Sequence, residues 1–107
     1  MSKPSREDME ELARRFPFKK KSWMARCVKR LPTVRQIAKN VWFLRCLPQL
    51  GDKRAYYIVV LDEDKKVYTC TCYDEAAQWG AVRRRNVCSH VGAVVLYRIM
   101  VQRRLEG

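Results

Sequence analysis

Two tight pairs of metal-type side chains, Cys70-Thr71-Cys72 and Cys88-Ser89-His90, constrain this 107-residue chain more than any other feature. Fifteen residues separate the pairs, enough for a loop to fold back and bring one to the other. In a strand, residues i and i+2 share a face, so the sulfurs of Cys70 and Cys72 are expected side by side. Cys88 and His90 fall where the last predicted helix begins. Three thiolates and one imidazole complete a tetrahedral shell, and zinc is the borderline-soft ion that this donor set suits. A closed shell leaves no position for water or substrate, so the spacing points to one structural zinc. Folding should then depend on metal, because nothing arranges the ligands in the unfolded chain. His90 is the only histidine, and a lone histidine is more often a core or surface residue. That incidental reading must also produce two tight pairs by chance.

Five cysteines make an odd number, which excludes a complete intramolecular disulfide framework. Cys27 and Cys46 have no partner at a matching spacing and sit in apolar patterns, so both read as core. The first fifteen residues are mostly charged and lack the apolar stretch of a secretory signal. Glu7, Asp8, Glu10 and Glu11 argue against a transit peptide. An intracellular, reducing location is the resulting expectation. The apolar run 91–96, with 99–101 behind it, is broken by Arg98 and too short to span a bilayer.

Local signals order the rest of the chain. Ser5 and Asp8 have capping-box spacing, which predicts a helix over residues 6–15. Lys19, Lys20 and Lys21 form a basic connector, and Ser22 is placed to cap a second helix over 23–31, stopped by Pro32. Trp23, Cys27 and Leu31 give that helix an apolar edge, which favours core over exposure. Residues 33–40 read as a short helix or a loop. Residues 41–47 and 56–61 read as strands, separated by a turn at Gly51-Asp52-Lys53. Residues 62–65 form a charged hairpin loop, and 66–72 the return strand. A polar segment over 74–80 and the basic loop Arg83-Arg84-Arg85 lead to a last helix over 89–105. The expected fold is α+β: an antiparallel sheet of about three strands, a C-terminal helix, and one or two N-terminal helices. Residues 1–39 form a basic helical extension packed on the same domain, and 40–107 the metal-binding core.

The residues Tyr68-Thr69-Cys70-Thr71-Cys72 and Val87-Cys88-Ser89-His90-Val91-Gly92-Ala93-Val94, with strands before and a helix after, resemble the SWIM-type zinc finger. The resemblance covers residues 40–100 and leaves the first forty aside. It implies a small sheet and a helix around one zinc, and a role in DNA binding or protein interaction. Such domains occur in transposases, chromatin-remodelling ATPases, ubiquitin ligases and recombination regulators. A basic residue is common between the last Cys and His of the family, and this chain has Ser89 there.

Charge narrows the partner. Twenty-three Lys and Arg stand against eleven Asp and Glu, a formal charge of +12. No acid occurs between Glu11 and Asp52, while eleven bases do. A field of one sign over that length attracts polyanions, with nucleic acid first and DNA ahead of RNA. Lys19, Lys20, Lys21, Arg26, Lys29, Arg30, Arg83, Arg84 and Arg85 are the expected phosphate contacts. No element carries Asn, Gln and Arg in base-reading positions, so sequence specificity should be low. Catalysis finds little support, since the one histidine belongs to the metal pattern and no glycine-rich phosphate loop exists. The rival reading is a protein-interaction module partnering a recombinase or other DNA-processing protein, docked through Tyr97, Met100 and Leu105. A membrane partner is not expected, because the bases do not oppose a broad apolar helix face.

Overall fold

Helix α1 (Arg6–Arg15) starts where Ser5 and Asp8 exchange hydrogen bonds, each side chain accepting from the other's backbone N–H. That reciprocal cap satisfies two donors that a helix start leaves open. Helix α2 (Lys21–Arg30) has Lys20 at its N-cap position rather than the expected Ser22, with no side-chain cap at all. Tertiary contacts supply what the cap does not. The Trp23 indole donates to the Val87 carbonyl at 3.1 Å, and its ring lies 5.2 Å from Phe16. Pro32 ends α2 as expected, in a short 3-10 turn over Leu31–Thr33. The computed structural model describes residues 3–73 and 86–106; the polar segment 74–80 and Arg83, Arg84 and Arg85 lie outside the described residues.

Four strands, rather than about three, form one antiparallel sheet in the order β1-β2-β3-β4. They are β1 (Arg35–Ala38), β2 (Val41–Arg45), β3 (Tyr56–Asp62) and β4 (Val67–Cys70). The addition is β1, in the stretch read as a short helix or loop. All four of its residues are exposed, so it shows no alternation of apolar and polar side chains. An edge strand needs only backbone pairing, here Arg35 with Phe43 and Gln36 with Trp42. The boundary expected at residue 39 therefore falls inside the β1–β2 hairpin.

The inner face of the sheet carries Trp42 and Leu44 from β2 and Tyr57 and Val59 from β3, all buried. Trp42 pairs with Val59 and Leu44 with Tyr57, so the register puts these four on one side. Cys70 is the register partner of Val59 and faces inward with them. Helix α3 (Ser89–Glu106) covers that face, and every residue from Ser89 to Leu96 is buried. Gly92 lets α2 approach it: an added Cβ would meet Cys27 Sγ at 2.4 Å and the Trp23 ring at 2.6 Å. Leu12 of α1 and Trp23 and Cys27 of α2 belong to the same core as the sheet and α3. The first forty residues are thus part of one hydrophobic core. Among the described residues, no helix is long and apolar enough to cross a membrane.

Candidate metal centre

The two ligand pairs arrive from different elements by different local geometry. Cys70 ends β4 on the inner face, by its register with Val59. Cys72 does not continue the strand; it lies in a 3-10 turn over Thr71–Tyr73. The strand rule that placed both sulfurs on one face is therefore corrected. The ladder stops because the Thr71 hydroxyl takes the Ile58 N–H at 3.2 Å, and the turn carries Cys72 round to Cys70. Cys88 immediately precedes α3, and its sulfur accepts the Val91 N–H at 3.5 Å. It caps the helix with a thiol where Ser or Asp is usual, and the helix dipole favours the thiolate. His90 sits in the first turn. Val87, before Cys88, holds φ +60°, which a β-branched residue adopts only under constraint. Both sides of that residue are held: Trp23 binds the Val87 carbonyl, and the Tyr73 hydroxyl accepts the Cys88 N–H at 3.0 Å.

Cys70, Cys72, Cys88 and His90 bring one ligand atom each to within 4.8 Å of one another. A tetrahedron with 2.3 Å metal–sulfur bonds has edges of ~3.8 Å, so the cluster has metal-site dimensions. His90 supplies a second sign. It is only 4% exposed, its Nε2 lies 3.2 Å from an Asp52 oxygen, and its Nδ1 has no partner among the described residues. An ionised carboxylate only accepts, so Nε2 carries the proton and donates, leaving the Nδ1 lone pair for the cluster. This is the arrangement in which a second-sphere carboxylate fixes the tautomer of a ligating imidazole. The residues fit a metal ion: a buried imidazole nitrogen without a partner beside three thiols.

Electrostatics within the cluster follow from crowding. Burial raises the Cys88 thiol pKa, but the neighbouring Cys70 and Cys72 thiols and the adjacent His90 ring outweigh it and hold it well below the ordinary value. Cys70 is pushed far up by its hydrogen bonds to Cys72 and Cys88 and by burial. One thiolate thus forms at the expense of its neighbours, and a cation is the group that lets three coexist.

Around the ligands stands a shell that the sequence did not reveal. Asp52 lies in the turn that the sequence predicts, yet its side chain is only 4% exposed. It receives Arg30 at 2.5 and 3.0 Å, the Leu47 N–H at 2.9 Å and His90 at 3.2 Å. Burial opposes its ionisation, but the hydrogen bonds from His90, Arg30 and Leu47 hold its carboxyl well below the usual range. Arg30 also donates to the Ser89 hydroxyl at 2.8 Å, and Tyr57 stacks on His90 with ring centres 3.9 Å apart. The Ser89 hydroxyl is thus the acceptor for a buried arginine. The one signal in the sequence was position: Asp52 is the first acid after an acid-free run of forty residues.

The expected phosphate contacts divide into three groups. Lys20, Lys21 and Lys29 are exposed on or beside α2. Lys19 is half-buried over the rings of Phe18 and Trp23, and half-buried Arg26 donates to the Leu50 carbonyl at 2.6 Å. Arg30 is corrected: it is 1% exposed and held by Asp52 and Ser89, so it does not reach a ligand at the surface. Of the side chains expected to dock a protein partner, Met100 is buried, Tyr97 half-buried and Leu105 exposed. Cys27 is buried and Cys46 half-buried, and neither joins the metal cluster. No family model matches the chain, and neither the curated proteins nor the solved structures contain a match.

Proposed function

We propose that this chain is a small zinc-stapled module that docks on the phosphate backbone of nucleic acid, DNA ahead of RNA, with low sequence specificity. Zinc is the ion that three thiolates and an imidazole suit, and a closed shell gives it a structural role. When bound, it supplies charge that stabilises the thiolates and a cross-link between β4 and α3. The chain's own residues do the rest. Asp52 orients His90 and neutralises Arg30, and Arg30 holds the end of α2. The Cys-x-Cys and Cys-x-His pattern, its hairpin and its following helix are those of the SWIM resemblance, which makes that family the preferred assignment.

One observation carries the nucleic-acid reading. The exposed side of α2 presents Lys21, Ser22, Ala25 and Lys29, with Lys20 at its start and no acid anywhere on the helix. Asp52, the acid that ends the basic stretch in sequence, is consumed internally by Arg30 and His90. Among the described residues the cationic face therefore carries no ion pair, on a helix braced to the metal centre. Such a face binds phosphates by charge, and counterion release makes the affinity fall with salt.

The test is fluorescence anisotropy of zinc-loaded protein with single-stranded DNA, duplex DNA and RNA, each at several salt concentrations. A triple Lys20/Lys21/Lys29→Gln variant should weaken binding to all sequences and reduce the log–log salt slope by about 2 to 3, near one per lost contact. A flat slope for the unaltered protein sinks the proposal and moves the search to a protein partner. Metal analysis of the purified chain should find one zinc per molecule, lost in Cys72→Ser. A different ion at one equivalent would overturn the zinc assignment alone.

A further inference from the structure

Away from the metal centre, Trp42 buries an indole Nε1–H that finds no acceptor among the described residues, although the residue is only 1% exposed. Buried tryptophan is normally placed where its N–H has a partner. Trp42 helps line a cleft of about 320 Å³ between the β1–β2 hairpin and the C-terminal half of α3. No acid lines this cleft, and Arg15, Lys39 and Arg98 do. Arg15 is held by Glu11 at 3.2 Å. Lys39 meets only the exposed Glu63, at 3.7 Å, a contact worth little in water. Arg98 pairs with no carboxylate among the described residues. Its guanidinium lies 5.4 Å over the Trp42 ring and donates to the Tyr68 hydroxyl. Half-buried Tyr97 adds a second aromatic side chain to the lining. The volume sits at the small end of ordinary small-molecule sites, which begin near ~300 Å³.

We propose that this cleft binds a nucleotide phosphate, carried either by a free mononucleotide or by the unpaired end of a strand. The phosphate oxygens accept from Arg98 and Lys39, and the base lies against Tyr97, while the Trp42 indole beneath Arg98 reports on the occupied cleft. Three features act together: the Arg98 guanidinium with no carboxylate among the described residues, the weakly paired Lys39 ammonium, and the aromatic Tyr97 on the lining. The cleft is distinct from the metal centre, since Tyr97 lies seven residues along α3 from His90, a rise of about 10 Å. Only the strand-end form rests on the nucleic-acid reading above.

The experiment follows the assigned Trp42 indole N–H resonance of the zinc-loaded protein by NMR. The probes are adenosine 5′-monophosphate, inorganic phosphate, and a trinucleotide with and without a 5′-phosphate. Adenosine monophosphate or the phosphorylated trinucleotide should shift the resonance, and Arg98→Gln should raise the Kd about tenfold, as loss of a charge-assisted contact does. A response to the mononucleotide alone assigns the free ligand, and a response to the phosphorylated trinucleotide alone assigns the strand end. Both gels with the proposal, which requires a phosphate on a nucleoside. An unresponsive indole overturns it, as does a shift that Arg98→Gln and Lys39→Gln leave unchanged. Inorganic phosphate binding as well as the mononucleotide also overturns it. Duplex binding that still depends on Lys21 and Lys29 in the Arg98→Gln variant separates failure of the cleft from failure of the α2 reading.

Discussion

Replacing Asp52 by Asn tests the bridge between the metal centre and α2 with almost no change of shape. The amide oxygen can still accept the Leu47 N–H, which Asp52 receives at 2.9 Å. What disappears is the charge facing Arg30, which is 1% exposed and has no other carboxylate among the described residues. Removing one partner of a buried pair strands the other charge and costs about 3–5 kcal/mol. The retained hydrogen bond puts this variant near the lower figure, ~3 kcal/mol, against a total stability of about 5–15 kcal/mol for a typical domain. At ~4 °C per kcal/mol for a chain of this size, the melting temperature should fall by roughly 12 °C. The same change removes the anionic acceptor from His90, so metal affinity should fall about 10–100-fold. Denaturant unfolding with and without metal, together with chelator competition, reads both quantities. Glu63→Gln, at an exposed pair, serves as the control and should stay within about 0.5 kcal/mol of the unaltered chain. If Asp52→Asn matches that control in stability and in metal affinity, the reasoning about the bridge is refuted.

Gly92→Ala should destabilise the fold by about 1–2 kcal/mol by chemical denaturation, because overpacking against Cys27 and Trp23 exceeds the helix-propensity gain. An unchanged or raised stability would mean that α2 and α3 are free to separate. Ser5→Ala removes one half of the cap on α1 and should cost about 1 kcal/mol by the same assay, with a small loss of helical circular dichroism. Cys27, whose thiol burial pushes up to about 12, should resist alkylation in the folded protein at pH 8 and react only on unfolding. Labelling of Cys27 in the native state at the rate of the half-buried Cys46 would contradict its place in the core.

Local chemistry was readable where the structure is local. The Ser5–Asp8 cap, the stop at Pro32, the strands on either side of Gly51 and the start of α3 all rest on neighbours a few residues apart. The four ligands were readable because donor type and spacing identify them without knowledge of the path between them. The path itself was not. Cys72 reaches the cluster through a turn, because a tertiary hydrogen bond from Ile58 to Thr71 ends the strand. Strand β1 was hidden because an edge pairs through its backbone and its side chains carry no pattern. The surface reading of Arg30 fails for a related reason, and the turn reading of Asp52 is incomplete for the same one. The two are twenty-two residues apart, and only the folded chain shows that each is the other's counter-charge. Helical position did carry a signal: Arg30 stands seven residues from Trp23 and three from Cys27, on the buried edge of α2.

Cys72 and Cys88 stand at the two ends of the segment that joins the sheet to α3, and the metal cluster fixes both ends whatever runs between them. This makes the connection a natural graft point. For a flexible connection between anchored ends, each doubling of length costs only about 0.6 kcal/mol. Between Tyr73 and Val87, which brace Cys88 and α2, the connection is therefore open to lengthening, shortening or replacement by foreign sequence. A chain built this way can change what it displays between its two halves without redesigning the core that holds them.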